Sequence, residues 1–237
     1  MDTKISITLA AYAYFLLVGI SYMWGYWLPF ELNILAFADI TDIIKASAYP
    51  LLPAVGMLVT YAALDGLNTI SKKQHDDYVA EGGVFRAYMR FIVGFNFLII
   101  AAALVVSAYQ VIVEPGYGKL KGAFPLISLL AFCYLLFGNK HLLELDVRVR
   151  AFFLALVCFL PSAAFRAGNG AGNELKNLAG TYWTLSPKEP CPGSSGELVL
   201  LGKLSNKYLT MVKNEKSLCV IEGGNVQLIK TISRGGA

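Results

Sequence analysis

Long apolar stretches separated by short charged segments dominate the first two thirds of the chain. A helix satisfies its backbone hydrogen bonds internally, and about 20 apolar residues cross the hydrocarbon core of a bilayer. The pattern therefore predicts five transmembrane helices, at residues 5–28, 46–64, 91–113, 123–138 and 151–165. The first ends in a cluster of Tyr and Trp that is typical of a membrane–water interface, and Pro29 stops it.

The fourth and fifth apolar segments are shorter than the others. At about 1.5 Å of rise per residue, each gives only about 24 Å of helix. We interpret them as short spans in a thin bilayer, and the alternative is that they form the two arms of a re-entrant hairpin.

The pattern changes at Arg166. Residues 167–177 are rich in glycine and asparagine and are predicted to form a flexible linker. In residues 178–237, short runs of β-branched, aromatic and aliphatic residues alternate with turn residues, which predicts about five antiparallel strands in a small barrel-like domain. The predicted fold class is an α-helical membrane bundle, residues 1–166, followed by a small all-β domain.

The segment from Leu200 to Ile229 resembles the two halves of the Sm-like fold. The likeness rests on Gly202 followed two residues later by Leu204, and on a later apolar pair before a turn at Gly223. This resemblance implies a small barrel. The Asp and Asn of that family's RNA-binding loop are absent, so the resemblance does not imply RNA binding.

The composition agrees with a membrane location. Apolar residues make up 56% of the chain and charged residues 15%, against about 25% charged residues in soluble domains. The net charge of +4 is spread out, which suits anionic lipid headgroups better than nucleic acid. The expected partners are the lipid bilayer, further copies of the chain in a homo-oligomer, and a protein bound to the β domain, with no nucleic acid.

The positive charges predict an orientation. With the N-terminus inside, the inner segments carry eight Lys and Arg residues and the outer short loops carry three. This bias favours a cytoplasmic N-terminus. Five spans then place the C-terminal domain outside, in a multi-pass protein of a bacterial inner membrane. Three spans with a re-entrant hairpin would also place it outside, whereas only one span among the last two segments would place it inside.

Acidic residues between the first two predicted spans form one candidate site. Asp39, Asp42 and Lys45 recur every three residues, so on a helix they fall on one side. The pattern predicts an interfacial helix with a solvated face. The alternative is an acidic stripe at the mouth of a pore or a cation site.

Polar residues within or beside the spans form a second candidate site, because such residues are costly in lipid. They are Asp65, Asn96 and Arg90. A functional interpretation joins Asp65 and Asn96 in the bundle interior or along an ion path. A structural interpretation places both near the inner interface, where Arg90 pairs with Asp65.

The four cysteines fall into two classes. Cys133 and Cys158 lie in predicted spans and are interpreted as small apolar side chains. Cys191 and Cys219 follow the last span, and a location outside the cell membrane would allow a disulfide between them.

The sequence contains no recognisable catalytic motif. The two histidines, His75 and His141, lie in loops without a second ligand at metal spacing, so no metal, cofactor or catalytic residue is predicted. We expect a non-enzymatic membrane protein that anchors a small β domain in a sensing, assembly or accessory role. An oligomeric pore lined by the second span, kinked at Pro50 and Pro53, is the first alternative, and a membrane enzyme is the second.

Overall fold

The computed structural model describes residues 3–67, 77, 79–138, 147–186, 196–213, 215, 217–222 and 227–232. The long helices among them are α1 (Thr3–Trp27), α2 (Ile40–Leu67), α3 (Gly83–Val113), α4 (Leu120–Gly138) and α5 (Val147–Lys176). The strands are β1 (Thr181–Ser186), β2 (Leu198–Leu204), β3 (Lys207–Val212), β4 (Leu218–Glu222) and β5 (Gln227–Ile232). Short 3-10 helices occupy Leu28–Phe30, Ile34–Ala36 and Gly116–Lys119.

Four helical stretches of the described residues are long and apolar enough to cross a membrane. They are Thr8–Phe30, Ile40–Thr60, Gly116–Leu136 and Arg150–Lys176, and a shorter apolar stretch covers Phe97–Val113. The two stretches near the predicted fourth and fifth spans contain 21 and 27 residues. Since 21 residues of helix cover about 30 Å, neither is too short to cross a bilayer. The helical region is compatible with a multi-pass membrane protein.

The five predicted antiparallel strands are confirmed. They form one sheet with the order β4-β3-β2-β1-β5. Within the described residues, β4 and β5 are the two edges and do not pair with each other, so the sheet is not closed. The prediction of a barrel is therefore not confirmed.

Of the residues predicted to be a linker, 167–177, all but the last form the final turns of α5. A Cβ on Gly168 would overlap the carbonyl oxygen of Tyr22, and one on Gly172 would overlap that of Tyr26. A step of four residues along α5 thus matches a step of four along α1, so the two helices run parallel with their backbones in contact. Glycines spaced four apart permit such close packing in membrane helices, which explains their presence here without flexibility.

Contacts divide the chain into two compact units. The N/C unit consists of Met1–Pro50 and Ala163–Ala237, and the middle unit consists of Leu51–Ser162. The core of the N/C unit joins the end of α1, the start of α2 and one face of the sheet. Its buried residues are Met23, Trp27, Phe30, Ile34, Ile43, Leu201, Leu204, Leu209 and Met211. Burying a large apolar side chain fully contributes about 1.5–3 kcal/mol, so this core is a major stabilising contact.

In the middle unit, α3 and α4 form a helical hairpin. A Cβ on Gly122 would overlap the carbonyl oxygen of Ser107, so the two backbones are in close contact. The turn between the helices carries an ion pair, in which Lys121 Nζ lies 3.7 Å from Glu114 Oε1. Both side chains are partly exposed, and the pair contributes at most about 1 kcal/mol.

Candidate functional site

A cleft of about 380 Å³ lies in the N/C unit, where the end of α1, the start of α2 and β2 meet. Its lining includes Tyr22, Tyr26, Trp27, Lys45, Tyr49 and Lys203. The aromatic residues that end the first predicted span form one wall of this cleft. Residues of α2 and β2 form its other walls.

Tyr26 and Trp27 fix β2 against α1. The Tyr26 hydroxyl donates a hydrogen bond to the Leu201 carbonyl at 2.6 Å. The β2–β3 register shifts between Leu200 and Gly202, which places Leu201 at a β-bulge. A Cβ on Gly202 would lie 3.1 Å from Cζ2 of Trp27. The bulge and the missing side chain of Gly202 together allow the aromatic end of α1 to pack closely against β2.

Two carboxylates begin α2 in a reciprocal arrangement. The Asp42 backbone N–H donates to Asp39 Oδ1 at 2.8 Å, and the Asp39 N–H donates to Asp42 Oδ2 at 3.4 Å. This is the geometry of a capping box, which satisfies backbone donors at the start of a helix. Sequence spacing placed both carboxylates on one side, and the structure gives them a capping role.

The same carboxylates hold the turn between β2 and β3. The Ser205 backbone N–H donates to Asp42 Oδ2 at 2.9 Å. Its hydroxyl lies 3.1 Å from Asp39 Oδ2 and 3.3 Å from Asp42 Oδ2. The carboxylates therefore join the sheet to α2 rather than serving only as a solvated face.

These hydrogen bonds change the acidity of Asp39. The bond from the Asp42 backbone N–H lowers the pKa of Asp39 most, partial desolvation opposes it, and the Ser205 hydroxyl and the Lys45 charge lower it further. Donors that favour the ionised carboxylate stabilise the charged form. Asp39 is therefore an anion at neutral pH.

The aromatic wall of the cleft is ordered by ring stacking. The rings of Tyr22 and Tyr49 lie 5.3 Å apart with an interplanar angle of 8°. Lys203 pairs with Tyr208 on the face of the sheet opposite Leu209, and its Nζ lies 5.2 Å from the centroid of the Tyr208 ring. Cation–π contacts of this kind hold an ammonium group without neutralising its charge. The cleft thus has an ordered aromatic wall, and the Lys203 ammonium group is held on the other face of the sheet.

The remaining candidate residues lie in other parts of the chain. Asp65 and Asn96 belong to α2 and α3, but their side chains lie outside the described residues. Arg90 is exposed on α3. Their joint site and the Asp65–Arg90 pair stay predictions.

Cys219 on β4 is disulfide-bonded, whereas Cys133 and Cys158 are free. Cys191, its predicted partner, lies outside the described residues, so this pairing stays a prediction. In the described part of the chain, no group of three or more His, Cys, Asp and Glu side chains is placed to hold a metal ion.

Leu201, Lys203 and Ser205 are not among the residues that the sequence predicts for a site. Their signals are weak: Gly202 within an apolar strand indicates a bulge, and Ser205 followed by Asn206 indicates a turn. Neither signal shows that the strand contacts α1 or α2, because those partners are far away in the sequence.

Comparison of the chain with protein-family models, curated proteins and solved structures finds no match. We therefore infer the function from the geometry of the N/C unit. Its two informative features are the docked sheet and the cleft beside it.

Proposed function

We propose that this chain is a non-enzymatic multi-pass membrane protein that holds a β sheet at the membrane surface in a sensing, assembly or accessory role. The observation that carries this proposal is the shared core of the helix ends and the sheet, in which Trp27, Ile43 and Leu209 are buried together. A flexible linker would let the sheet move freely. The core instead fixes the sheet relative to α1, as a role in presenting a surface requires.

Part of the second face of the sheet is exposed and offers that surface, while Leu185, Leu198 and Val212 on the same face are buried. Trp183 and Leu228 are 45% and 46% exposed. Trp183 pairs with Leu200, which pairs with Thr210, so Trp183 lies on the face opposite Leu209. Exposed apolar groups on one face are typical of protein-binding surfaces. We infer a protein partner for this face.

The parallel packing of α1 and α5 supports a topology. Because the two helices run in the same direction, their C-terminal ends lie on the same side of the membrane. An even number of crossings must separate those ends, and α2, α3, α4 and α5 provide four if each crosses once. We infer five spans. The bias of positive charge then supports a cytoplasmic N-terminus and an outer sheet in a bacterial inner membrane.

Site-specific photocrosslinking in native membranes tests this role. A photoreactive amino acid in place of Trp183 is expected to give one dominant adduct of defined mass. The same amino acid in place of Asn206, which is exposed in the β2–β3 turn, is the matched control and should give none. Diffuse labelling from both positions would contradict a specific partner.

Electrical recording separates the proposed role from a pore. The purified full-length protein in planar bilayers is expected to carry no current across voltage and tension. Discrete channel openings would replace the proposal with the oligomeric pore.

A further inference from the structure

Two lysines border Trp183 on the second face of the sheet, the face that points away from the ends of α1 and α2. Lys230 on β5 lies directly across from Trp183. Leu200 lies across from it on β2, and the pair of Lys203 and Tyr208 comes next along that face. Both lysines are exposed. The half-exposed indole of Trp183 therefore has a cation on each neighbouring strand.

Neither of these ammonium groups is neutralised in the part of the chain that the structure describes. Lys203 Nζ lies 5.2 Å from the centroid of the Tyr208 ring, a contact that orients the group and leaves its charge in place. Among the described residues, neither Lys203 nor Lys230 forms an ion pair. The surface around Trp183 thus keeps two positive charges.

The described carboxylates of the sheet lie elsewhere. Glu222 is opposite Lys207, on the side that faces the helices. Glu197 Oε2 lies 2.9 Å from Lys213 Nζ and is paired with it. Glu215 belongs to the turn between β3 and β4. Within the described strands, the charged side chains of the second face are therefore positive.

The polar groups around Trp183 are hydrogen-bond donors. Ammonium groups and the indole N–H donate hydrogen bonds and cannot accept them. The buried hydroxyl of Thr210, on the same face, already donates to the Cys219 carbonyl at 3.0 Å. A partner that brings carboxylate oxygens beside an apolar side chain would satisfy these donors and cover the ring. We propose that the second face binds an acidic segment of a partner protein, with an apolar side chain on Trp183 and carboxylates at Lys203 and Lys230.

The position of this face favours a protein over an anionic bilayer as the partner. The opposite face of the sheet packs on Trp27 and Ile43, which lie near the ends of two candidate spans. The second face is therefore turned away from those helix ends. This inference rests on the proposed function and narrows its partner to one that carries negative charge.

Photocrosslinking from position 228 in native membranes identifies the partner segment. Leu228 is exposed on the second face, across from Leu185, and its replacement by p-benzoylphenylalanine leaves Trp183 and both lysines in place. Mass spectrometry of the adduct is expected to map the crosslink to a protein segment in which Asp and Glu outnumber Lys and Arg. A segment without this excess, or an adduct with lipid, would overturn the acidic partner and leave the proposed function or replace its partner with the bilayer. No adduct from position 228 or 183 would remove the proposed function as well.

A synthetic peptide of the crosslinked segment then measures what the two lysines contribute to binding by the full-length protein in detergent. Lys203→Gln/Lys230→Gln is expected to weaken binding roughly 5- to 25-fold, since each partly exposed ion pair contributes up to about fivefold. Lys203→Arg/Lys230→Arg should retain binding, because both charges remain.

The matched control removes two exposed lysines that lie away from this face, as Lys119→Gln/Lys207→Gln. Lys119 belongs to the turn between α3 and α4, and Lys207 lies 6.0 Å from the ring of Phe37 on the side that faces the helices. This control has the same net charge as the test variant and should bind the peptide like the unaltered protein. Equal losses in the two variants would show non-specific attraction and overturn the proposal.

Discussion

The hydroxyl of Tyr26 and the carboxylates of Asp39 and Asp42 hold two different points of the same strand hairpin. Tyr26 bonds to the bulge at Leu201, and the carboxylates bond to the turn residue Ser205. Two attachment points prevent the hairpin from pivoting about either one. Individual side chains therefore determine the orientation of the sheet.

Replacing Tyr26 with Phe removes one attachment and leaves the ring. We expect Tyr26→Phe to lower the free energy of unfolding by about 0.5–1.5 kcal/mol, since the Leu201 carbonyl loses its donor. Unfolding followed by circular dichroism in detergent measures this change. Tyr12→Phe, at an exposed position on α1, is the control and should have no effect. Equal stability of the two variants would show that the Tyr26 bond contributes nothing.

Asp39 makes the stability depend on pH. Its pKa is lowered in the folded protein, chiefly by the Asp42 backbone N–H. Its contribution is therefore fully present above the unfolded pKa of about 4 and is lost as pH falls through the lower folded value. We expect the stability difference between the unaltered protein and Asp39→Asn to shrink below pH ~4, in thermal unfolding measured between pH 6 and 2. A difference that stays constant over this range would contradict the assignment.

The local sequence predicted that Asp39 and Asp42 lie on one side of a helix, but it did not predict their partner. The three-residue spacing of Asp39 and Asp42 predicted that the carboxylates share one side of a helix. Their partner Ser205 lies 163 and 166 residues away in the sequence. Such a contact follows from the whole fold and has no local pattern, so the sequence alone left the choice between a solvated face and a pore mouth open.

At the level of elements, the end of α5 depends on glycine for close packing. Gly168→Ala is expected to destabilise the protein, because its Cβ would overlap the Tyr22 carbonyl oxygen. Gly170→Ala is the matched control two residues away, where a Cβ meets nothing within 4 Å. It should be neutral or stabilise by up to about 1 kcal/mol, the helix propensity gained over glycine. Unfolding by a denaturing detergent measures the stability of both variants. If Gly170→Ala were the less stable of the two, the close packing of α5 on α1 would be refuted.

Glycine-rich segments occur both in flexible linkers and in closely packed helices, which explains why 167–177 was predicted to be a linker. Glycine raises backbone freedom when no neighbour is near, and it admits a neighbouring backbone when one is present. Composition is the same in both cases.

The strands were easier to predict, because alternation of apolar and polar residues is local. Closure into a barrel was not predictable, since it depends on register and on the bulge at Leu201.

For the whole molecule, the docked sheet predicts that the α1–α2 connection and the β2–β3 turn face the same side of the membrane. Asn33→Cys and Asn206→Cys, each in a background with Cys133 and Cys158 replaced by alanine, place one label site in each. A membrane-impermeant maleimide should label both from the outer side of intact cells. If the two positions were labelled from opposite sides of the membrane, the contact of the sheet with α1 and α2 would be contradicted.

The cysteines report the chemical environment of the same surface. We expect mass spectrometry of the unfolded, unreduced protein to find alkylated Cys133 and Cys158, with Cys191 and Cys219 blocked until a reductant is added. The described structure contains the disulfide at Cys219. A bond between Cys191 and Cys219 would stabilise the sheet by about 3 kcal/mol if loop-closure entropy dominates. A free Cys191 would argue for a sheet on the cytoplasmic side.

Hydropathy was sufficient to predict a membrane protein with a β region at its end, because both features come from the order of apolar and polar residues. The division into compact units was harder to foresee. The N/C unit contains both the first and the last parts of the chain. Only tertiary contacts, such as Trp27 over Gly202, bring these parts together.

That arrangement has a consequence for biosynthesis. The bond from Tyr26 to Leu201 joins residues 175 positions apart. At ribosomal rates of about 5–20 residues per second, roughly 10–35 s pass between the synthesis of Tyr26 and the synthesis of Leu201 on β2. During this interval the strand residues that cover Trp27 in the folded chain, such as Gly202, have not yet been made. A product truncated before β2 would leave Trp27 without this cover and would be a ready target for membrane quality-control proteases.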